Sequence, residues 1–281
     1  MSVRITLRVR TAPGFRVDAS ALLPVPLAAM TVAQIEGIVL SAGHDSCKVG
    51  DVFDVTRSDS PTADETPDAG ATLVIENAAA WLDRVGARMT EGHLMVQGAA
   101  GDYSGFQMTG GVLQIEGDAG HFTGCEMRGG RLTVTGHNGD FAAGALAGDM
   151  EGMTGGTLII HGNTGARLAD RMHRGLVLVG GNAGDFAAAR LVAGTIGIAG
   201  EVGAHYAYGM RRGTLLLARR PTHVPTTFTE GGRGFDVFWA LLVRSLAEEI
   251  APFSHWRDAA LPTRYAGDLA VDGRGEILVM N

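Results

Sequence analysis

The chain has 281 residues, 42 of them glycine, with 46% apolar residues and a formal charge of −7. Glycine runs at about twice its usual share, yet there are only 9 prolines and no G-X-Y period, which excludes collagen, and the apolar content excludes global disorder. The acidic balance argues against a nucleic-acid binder, which needs a basic stripe. The two cysteines, Cys47 and Cys125, are too few for a disulfide framework, a cysteine-rich zinc site or a complete iron–sulfur site.

In chain order, MSVRITLRVR alternates like a strand rather than a signal peptide. Ala21–Met30 is interrupted by Pro24 and Pro26, and no run reaches the length of a membrane span. A cytoplasmic protein with no membrane or nucleic-acid partner is the expectation. Thr31–Ile38 and VGDVFDV complete a cap over residues 1–55, and Thr56–Gly70 reads as an acidic loop.

From there the chain repeats. The pattern G-x-[LVI]-x-[VIL] starts at Gly92, Gly111, Gly130, Gly156, Gly175, Gly194 and Gly213, at intervals of 19, 19, 26, 19, 19 and 19, and ATLVI at Ala71 is an earlier copy. Seven extra residues fall around Ala145–Glu151. Two more columns are all glycine: Gly98, Gly117, Gly136, Gly162, Gly181 and Gly200, then Gly101, Gly120, Gly139, Gly165, Gly184 and Gly203. One such unit cannot bury its own apolar face, whereas stacked units can. Nineteen residues suit one coil of a parallel β-helix, and eight coils at about 4.8 Å make a prism roughly 34 Å long. The period does not divide into hexapeptides, which disfavours a left-handed acyltransferase helix.

Met89, Met108, Met127, Met153, Met172, Leu191 and Met210 share a column, read as an inward stack of adaptable core side chains rather than a metal relay. Tyr103, Phe122, Phe141 and Phe186 share another, read as stacked aromatics filling a corner. Beyond the repeat, Phe235–Ile250 has helical spacing and is apolar nearly all round, predicting a helix that closes the last coil and also meets a partner. The expected organisation is a cap and loop over 1–70, the β-helix over 71–220 and an extension over 221–281.

No HExxH, P-loop or GxSxG occurs, and GDYSGF lacks the spacing of a nucleophile elbow. Asp118, His121, His137 and Asp140 fall on one corner in successive repeats. Such a set can hold a metal or serve as acid and base, or it can be an ion-pair ladder; with no nucleophile or further ligand in the pattern, the ladder is the reading taken. Arg171 and Arg190 share a column, Arg174 and Arg212 share another two repeats apart, and His173 and Arg211 lie beside them. Guanidinium groups one repeat apart repel by roughly 1–3 kcal/mol. An anion, such as the carboxylates of a partner, is the expected counterpart of Arg171, Arg190, Arg174 and Arg212, while splayed, solvated arginines are the alternative.

Gly98-x2-Gly101-x3-Gly105-x5-Gly111, repeated, resembles the GXXGXXXG β-helix domain that ends the large chain of glutamate synthase. VAQIEGIVLSAGHDSCKVGDVFDV, the MTGG and MRGG corners and RYAGDLAVDGRGEILV are similar to the C subunits of formylmethanofuran dehydrogenase and of its methylotroph counterpart, the formyltransferase/hydrolase complex. The resemblance implies a right-handed single-stranded β-helix that docks other subunits and carries no catalytic or metal-ligating residues. It also implies partners that do the chemistry, a zinc amidohydrolase-like subunit and a formyltransferase subunit, and a carrier, methanofuran or methylofuran, handled by the complex, whose polyglutamate tail is a second candidate anion for those four arginines. Formyl transfer from tetrahydromethanopterin and formate release are the implied reactions, with a molybdenum or tungsten dehydrogenase complex as the alternative. A β-helix enzyme acting on carbohydrate is the reading from a different class; it needs a cleft of carboxylates and aromatics, whereas these corners are mostly Gly, Ala and Thr.

Overall fold

The structure is a computed structural model of the 281-residue chain and describes residues 3–59, 70–232, 234–258 and 260–280. Most of the expected acidic loop lies outside the described residues, and its first residues belong to the strand Phe53–Ser58 instead.

A 13-stranded sheet runs the length of the molecule. Its edge is Phe53–Ser58, antiparallel to Arg4–Val9. Thr72–Ala78 follows in parallel, then His93–Gly98, Val112–Ile115, Arg131–Val134, Thr157–Ile160, Leu176–Val179, Thr195–Ile198 and Thr214–Leu217, each beside the strand one repeat earlier. Pairing is in register, as in Leu132 with Leu113 and with Leu158, so equivalent residues stack into columns. A second line of parallel bridges links Ala119, Asn138, Thr164, Ala183 and Val202 on a different side of the repeat. The seven extra residues leave the Arg131–Val134 to Thr157–Ile160 register intact, so the insertion is confined to the segment between them.

Alternate residues of each strand, such as Leu113 and Ile115 or Val177 and Val179, are fully buried in the main core. The methionine column is buried with them, every member at 1% exposure or less. It has a partner column. A Cβ built on Gly111, Gly130, Gly156, Gly175 or Gly194 would lie 2.6–2.9 Å from the terminal methyl of Met89, Met108, Met127, Met153 or Met172. The glycine that opens each strand therefore leaves room for the methionine one repeat before it, and its φ between +80° and +112° suits glycine as well.

Both ends of the parallel stack are closed by chain. At one end, buried Leu22, Leu27, Ile35, Leu40 and Val52 join the core beneath the antiparallel edge, and the helix Val32–Glu36 is held by a capping box between Thr31 and Gln34. At the other, Gly275–Val279 adds a further parallel strand beside Thr214–Leu217, and Thr263–Gly267 and Thr229–Glu230 continue antiparallel. GEILV at Gly275 is a further copy of the repeat motif, far out of period because the extension intervenes.

The C-terminal helix differs from expectation. It spans Asp236–Ser245, shorter than the periodic stretch, and it covers the outer face of the last strands rather than the end of the stack. Trp239, Val243 and Leu246 pack with Phe253 and Trp256 on Leu178, Leu216 and Leu278. Gly197 sits in mid-strand where a Cβ would meet Phe253 at 2.7 Å, so its absence admits that ring. Arg131 pairs with Glu249 at 2.7 Å, tying the segment after the helix to an earlier strand. Val237 and Leu241 remain 75% and 62% exposed.

Candidate functional site

The corners of the repeat position every side chain singled out in the sequence. Three alternating residues take left-handed backbone conformations in each repeat but the one before the insertion, where only Phe141 and Ala143 do; Phe186, Ala188 and Arg190, at φ 60°, 59° and 54°, are an example. Each costs on the order of 1 kcal/mol for a residue with a Cβ. Hydrogen bonds between repeats hold them there: Phe186 N–H donates to Ala204 O, Ala188 N–H to Leu168 O and Arg190 N–H to Tyr208 O.

The first of the three positions forms a column of flat groups. Tyr103 stacks on Phe122 and Phe122 on Phe141, both at 4.9 Å between centroids, and Phe186 stacks on His205 at 5.0 Å. Arg84 lies over Tyr103, and Arg167 spans the gap between Phe141 and Phe186. The aromatic column is thus continued by guanidinium groups in repeats that lack an aromatic residue.

The Asp118, His121, His137, Asp140 set is a ladder of a kind the spacing did not specify. Asp118 Oδ1 accepts from the backbone N–H of His137 at 2.7 Å, and His137 Nδ1 accepts from Asn163 N–H at 3.0 Å. In the parallel column, Asp102 accepts from His121 N–H, His121 Nδ1 from Asp140 N–H at 2.9 Å, and Asp140 from Ala166 N–H. Asn163, Asn182 and Asp185 continue the same contact. Each side chain receives a backbone donor of the next repeat at a corner where strand pairing cannot. Acceptance at Nδ1 makes the shorter contacts hydrogen bonds to backbone; of the expected Asp–His pairs, His121 Nδ1 also lies 3.8 Å from the Asp140 carboxylate, and no other is recorded among the described residues. Among the described residues no group of three or more His, Cys, Asp or Glu side chains is arranged to hold a metal ion.

Other candidate nucleophiles are engaged in packing. Ser104 is buried and donates to Gly101 O. Cys125 lies in a small apolar cluster with Ala87 and Phe106, and burial, with Glu126 and Asp149 adding to it, pushes its thiol far above the ordinary range. Its thiolate is suppressed, so it is a poor nucleophile.

The third left-handed position carries the arginine column. Arg88 donates to Gln107 and Gln107 to Glu126 at 2.9 Å. The insertion then intervenes: Glu126 accepts from Leu146 N–H, and Asp149 O accepts from the guanidinium of Arg171. Arg171 and Arg190 are in adjacent repeats, joined by Arg171 N–H to Ala189 O. Their charges are met differently, because Arg190 pairs with Asp170, whose side chain is 5% exposed. His173 Nδ1 lies 2.9 Å from Arg171 O. Arg171, Arg190, His173 and Arg211 line one cavity of about 490 Å³, bordered by Met150 and Glu151 of the insertion and by Asp268, Ala270 and Val271 of the extension. Arg212 faces a neighbouring recess with Arg211, Asp272 and Arg274, and Arg174 is exposed outside both. The structure thus gathers Arg171 and Arg190 and leaves Arg174 and Arg212 apart from them. The sequence reading missed Asp170 and both cavity walls; the break in the 19-residue period was the available signal for one wall.

Comparison with known proteins gives a consistent picture. Residues 67–230, more than half of the chain, match the family model for the GXGXG motif. The C subunit of a tungsten-containing formylmethanofuran dehydrogenase 2 from Methanococcus maripaludis is 33% identical over 89 residues, 32% of this chain and 30% of that relative. The C subunit of the formyltransferase/hydrolase complex from Methylorubrum extorquens is 39% identical over 96 residues, 34% and 32% of the two chains. The matched stretches therefore span about a third of these curated relatives. A chain in the crystal structure of the Methylorubrum extorquens formyltransferase/hydrolase complex with methylofuran is similar throughout, with 37% identity, a TM-score of 0.85 and coverage of 98% of this chain and 99% of that one. With the repeat matched by the family model and the likeness running end to end, this chain belongs to the GXGXG motif family, and its likeness there is to the C subunits of formylmethanofuran dehydrogenases and formyltransferase/hydrolase complexes.

Proposed function

We propose that this chain is the non-catalytic docking subunit of a formyltransferase/hydrolase complex. There it supports formyl transfer between tetrahydromethanopterin and methanofuran or methylofuran, with release of formate. The observation that carries this reading is the end-to-end likeness to a chain of such a complex. The partners are a zinc amidohydrolase-like subunit and a formyltransferase subunit, which hold the chemistry and the carrier. The packed Ser104 and Cys125 and the backbone-bonded histidines accord with a chain that leaves catalysis to others. We take the stacked repeats as about eight coils of a right-handed single-stranded β-helix over 71–220, with a cap over 1–70 and an extension over 221–281. Exposed Arg174 and Arg212, and Arg171 and Arg190 at the cavity, are the carboxylate-facing groups for a partner surface or a polyglutamate chain.

The test is purification of the tagged chain from its native host. Co-purifying transferase and hydrolase subunits, with formyl transfer and formate release by the isolated assembly, are expected. A stable, monodisperse monomer that captures neither subunit overturns the proposal. The second reading, the C subunit of a molybdenum or tungsten dehydrogenase complex, is favoured by the likeness to the Methanococcus maripaludis relative. It requires tungsten or molybdenum in the purified assembly and reductive formation of the formyl carrier.

A further inference from the structure

The 19-residue period is broken by the insertion around Ala145–Glu151, and the repeat is followed by an extension that returns to the sheet. Both departures border the same cavity. Met150 and Glu151 come from the insertion, and Asp268, Ala270 and Val271 from the extension. Between them the regular repeats supply Val192, Tyr208 and the arginines. A purely structural stack needs neither wall.

The lining has two chemical halves. Met150, Val192, Tyr208 and Val271 offer apolar surface, with Met150 and Tyr208 71% and 61% exposed. The polar half carries guanidinium groups that form no ion pair. Arg190 is held by Asp170, and the buried carboxylate of Asp268 accepts from Gly209 and Ala270 N–H. Arg171 donates to a neutral carbonyl, so its charge is not compensated. The Arg211 guanidinium has no hydrogen-bond or ion-pair partner among the described residues. Glu151 at the rim is exposed and is the one lining carboxylate without a partner there. Arg171 and Arg211, without ion pairs among the described residues, thus lie beside an apolar wall, with Asp268 held by backbone N–H groups and Glu151 at the rim.

We infer that this cavity binds a small organic anion: an apolar or aromatic body seated against Met150, Val192, Tyr208 and Val271, with its carboxylate or phosphate on Arg211 and Arg171. A volume of about 490 Å³ falls within the range of small-molecule sites, and guanidinium forks suit both oxyanions. At Arg171 the small anion takes the place of the partner or polyglutamate carboxylate proposed above, and the inference does not rest on the docking role.

The test titrates the full chain calorimetrically with 3-phenylpropionate, phenyl phosphate and the neutral 3-phenyl-1-propanol. At least one anion binds with one site per chain, and the alcohol at least about tenfold more weakly, the value of one charge-assisted contact. The stronger of the two anions identifies the head group. Arg211→Gln weakens anion binding about tenfold, whereas Arg128→Gln, in the neighbouring recess, leaves it unchanged. With methyl-labelled methionine, the Met150 signal shifts on titration and that of buried Met127 does not, a readout that needs no variant to fold. No saturable binding by the folded chain, equal binding of the alcohol, or shifts confined to other methionines overturns the inference. If Arg211→Gln instead loses co-purifying subunits while no probe binds the parent, the cavity is a protein interface; the ligand is then refuted and the docking role stands.

Discussion

The contact between methionine and glycine columns can be measured. Gly130 sits at φ +81°, and an alanine Cβ there would lie 2.7 Å from the Met108 terminal methyl, 2.8 Å from Gly111 O and 2.9 Å from Gly110 C. The left-handed backbone costs an alanine about 1–2 kcal/mol, and overpacking about 1–3 kcal/mol more. Gly130→Ala is therefore expected to destabilise by about 2–5 kcal/mol. Met108 is fully buried, so Met108→Ala costs about 2–5 kcal/mol through its cavity. Together the two should cost less than their sum by about 1 kcal/mol, because the cavity accepts the new methyl while the backbone contacts persist. The assay is urea unfolding of the four proteins by far-UV circular dichroism and by fluorescence. Trp81 reports from near the capped edge, and Trp239 and Trp256 from the helix on the last strands. Met172→Ala, whose methyl faces Gly194 instead, is the control and should add to Gly130→Ala within about 0.5 kcal/mol. Equal additivity for Met108→Ala would refute the paired-column explanation.

Other expectations follow from single contacts. Asp118→Ala hands the exposed His137 N–H to water and should lower stability by about 0.5–1.5 kcal/mol, whereas Asp118→Asn retains the acceptor and should be nearly neutral; equal melting temperatures for the two variants would dismiss the ladder. Arg190→Ala leaves the Asp170 carboxylate buried with only Arg167 nearby, at 3.6 Å, so it should cost more than the ~0–1 kcal/mol of an exposed pair, and Asp170→Asn should restore part of the loss in thermal melts. Cys125 and Tyr206 both have ionisation pushed upward by burial, from ordinary values of 9.0 and 10.0. The folded state then holds protons that the unfolded state releases, so stability is intact below about pH 9 and falls as pH rises above it. Cys125→Ala should flatten the onset of that fall, and Cys125 should resist iodoacetamide at about pH 8 until urea is added. Met127→Lys, an unpaired charge among fully buried neighbours, should cost several kcal/mol, and a loss below about 1 kcal/mol would displace Met127 from the core.

The period, the strand positions and the inward columns were legible in the chain itself. In-register stacking puts every equivalent residue in the same environment, so the demand for glycine at Gly130 or for methionine at Met108 recurs each 19 residues and shows as a column. Local order decided those features. Features made by one segment meeting a distant one left no period. The Asp236–Ser245 helix has the same apolar spacing whether it closes the end of the stack or lies on its outer face; Phe253 entering the space over Gly197, and the Arg131–Glu249 pair, settle it on the face. GEILV at Gly275 matched the motif yet lay out of period, and only its hydrogen bonds to Thr214–Leu217 reveal it as the next parallel strand. The spacing places the corner histidines in the ladder and His121 near Asp140, but it does not say that a ring nitrogen takes a backbone proton, which is the closer contact. The arginine column was visible, but not that Asp170 neutralises Arg190 while Arg211 stays unpaired, because charge compensation is set by side-chain direction and burial across segments far apart in the chain.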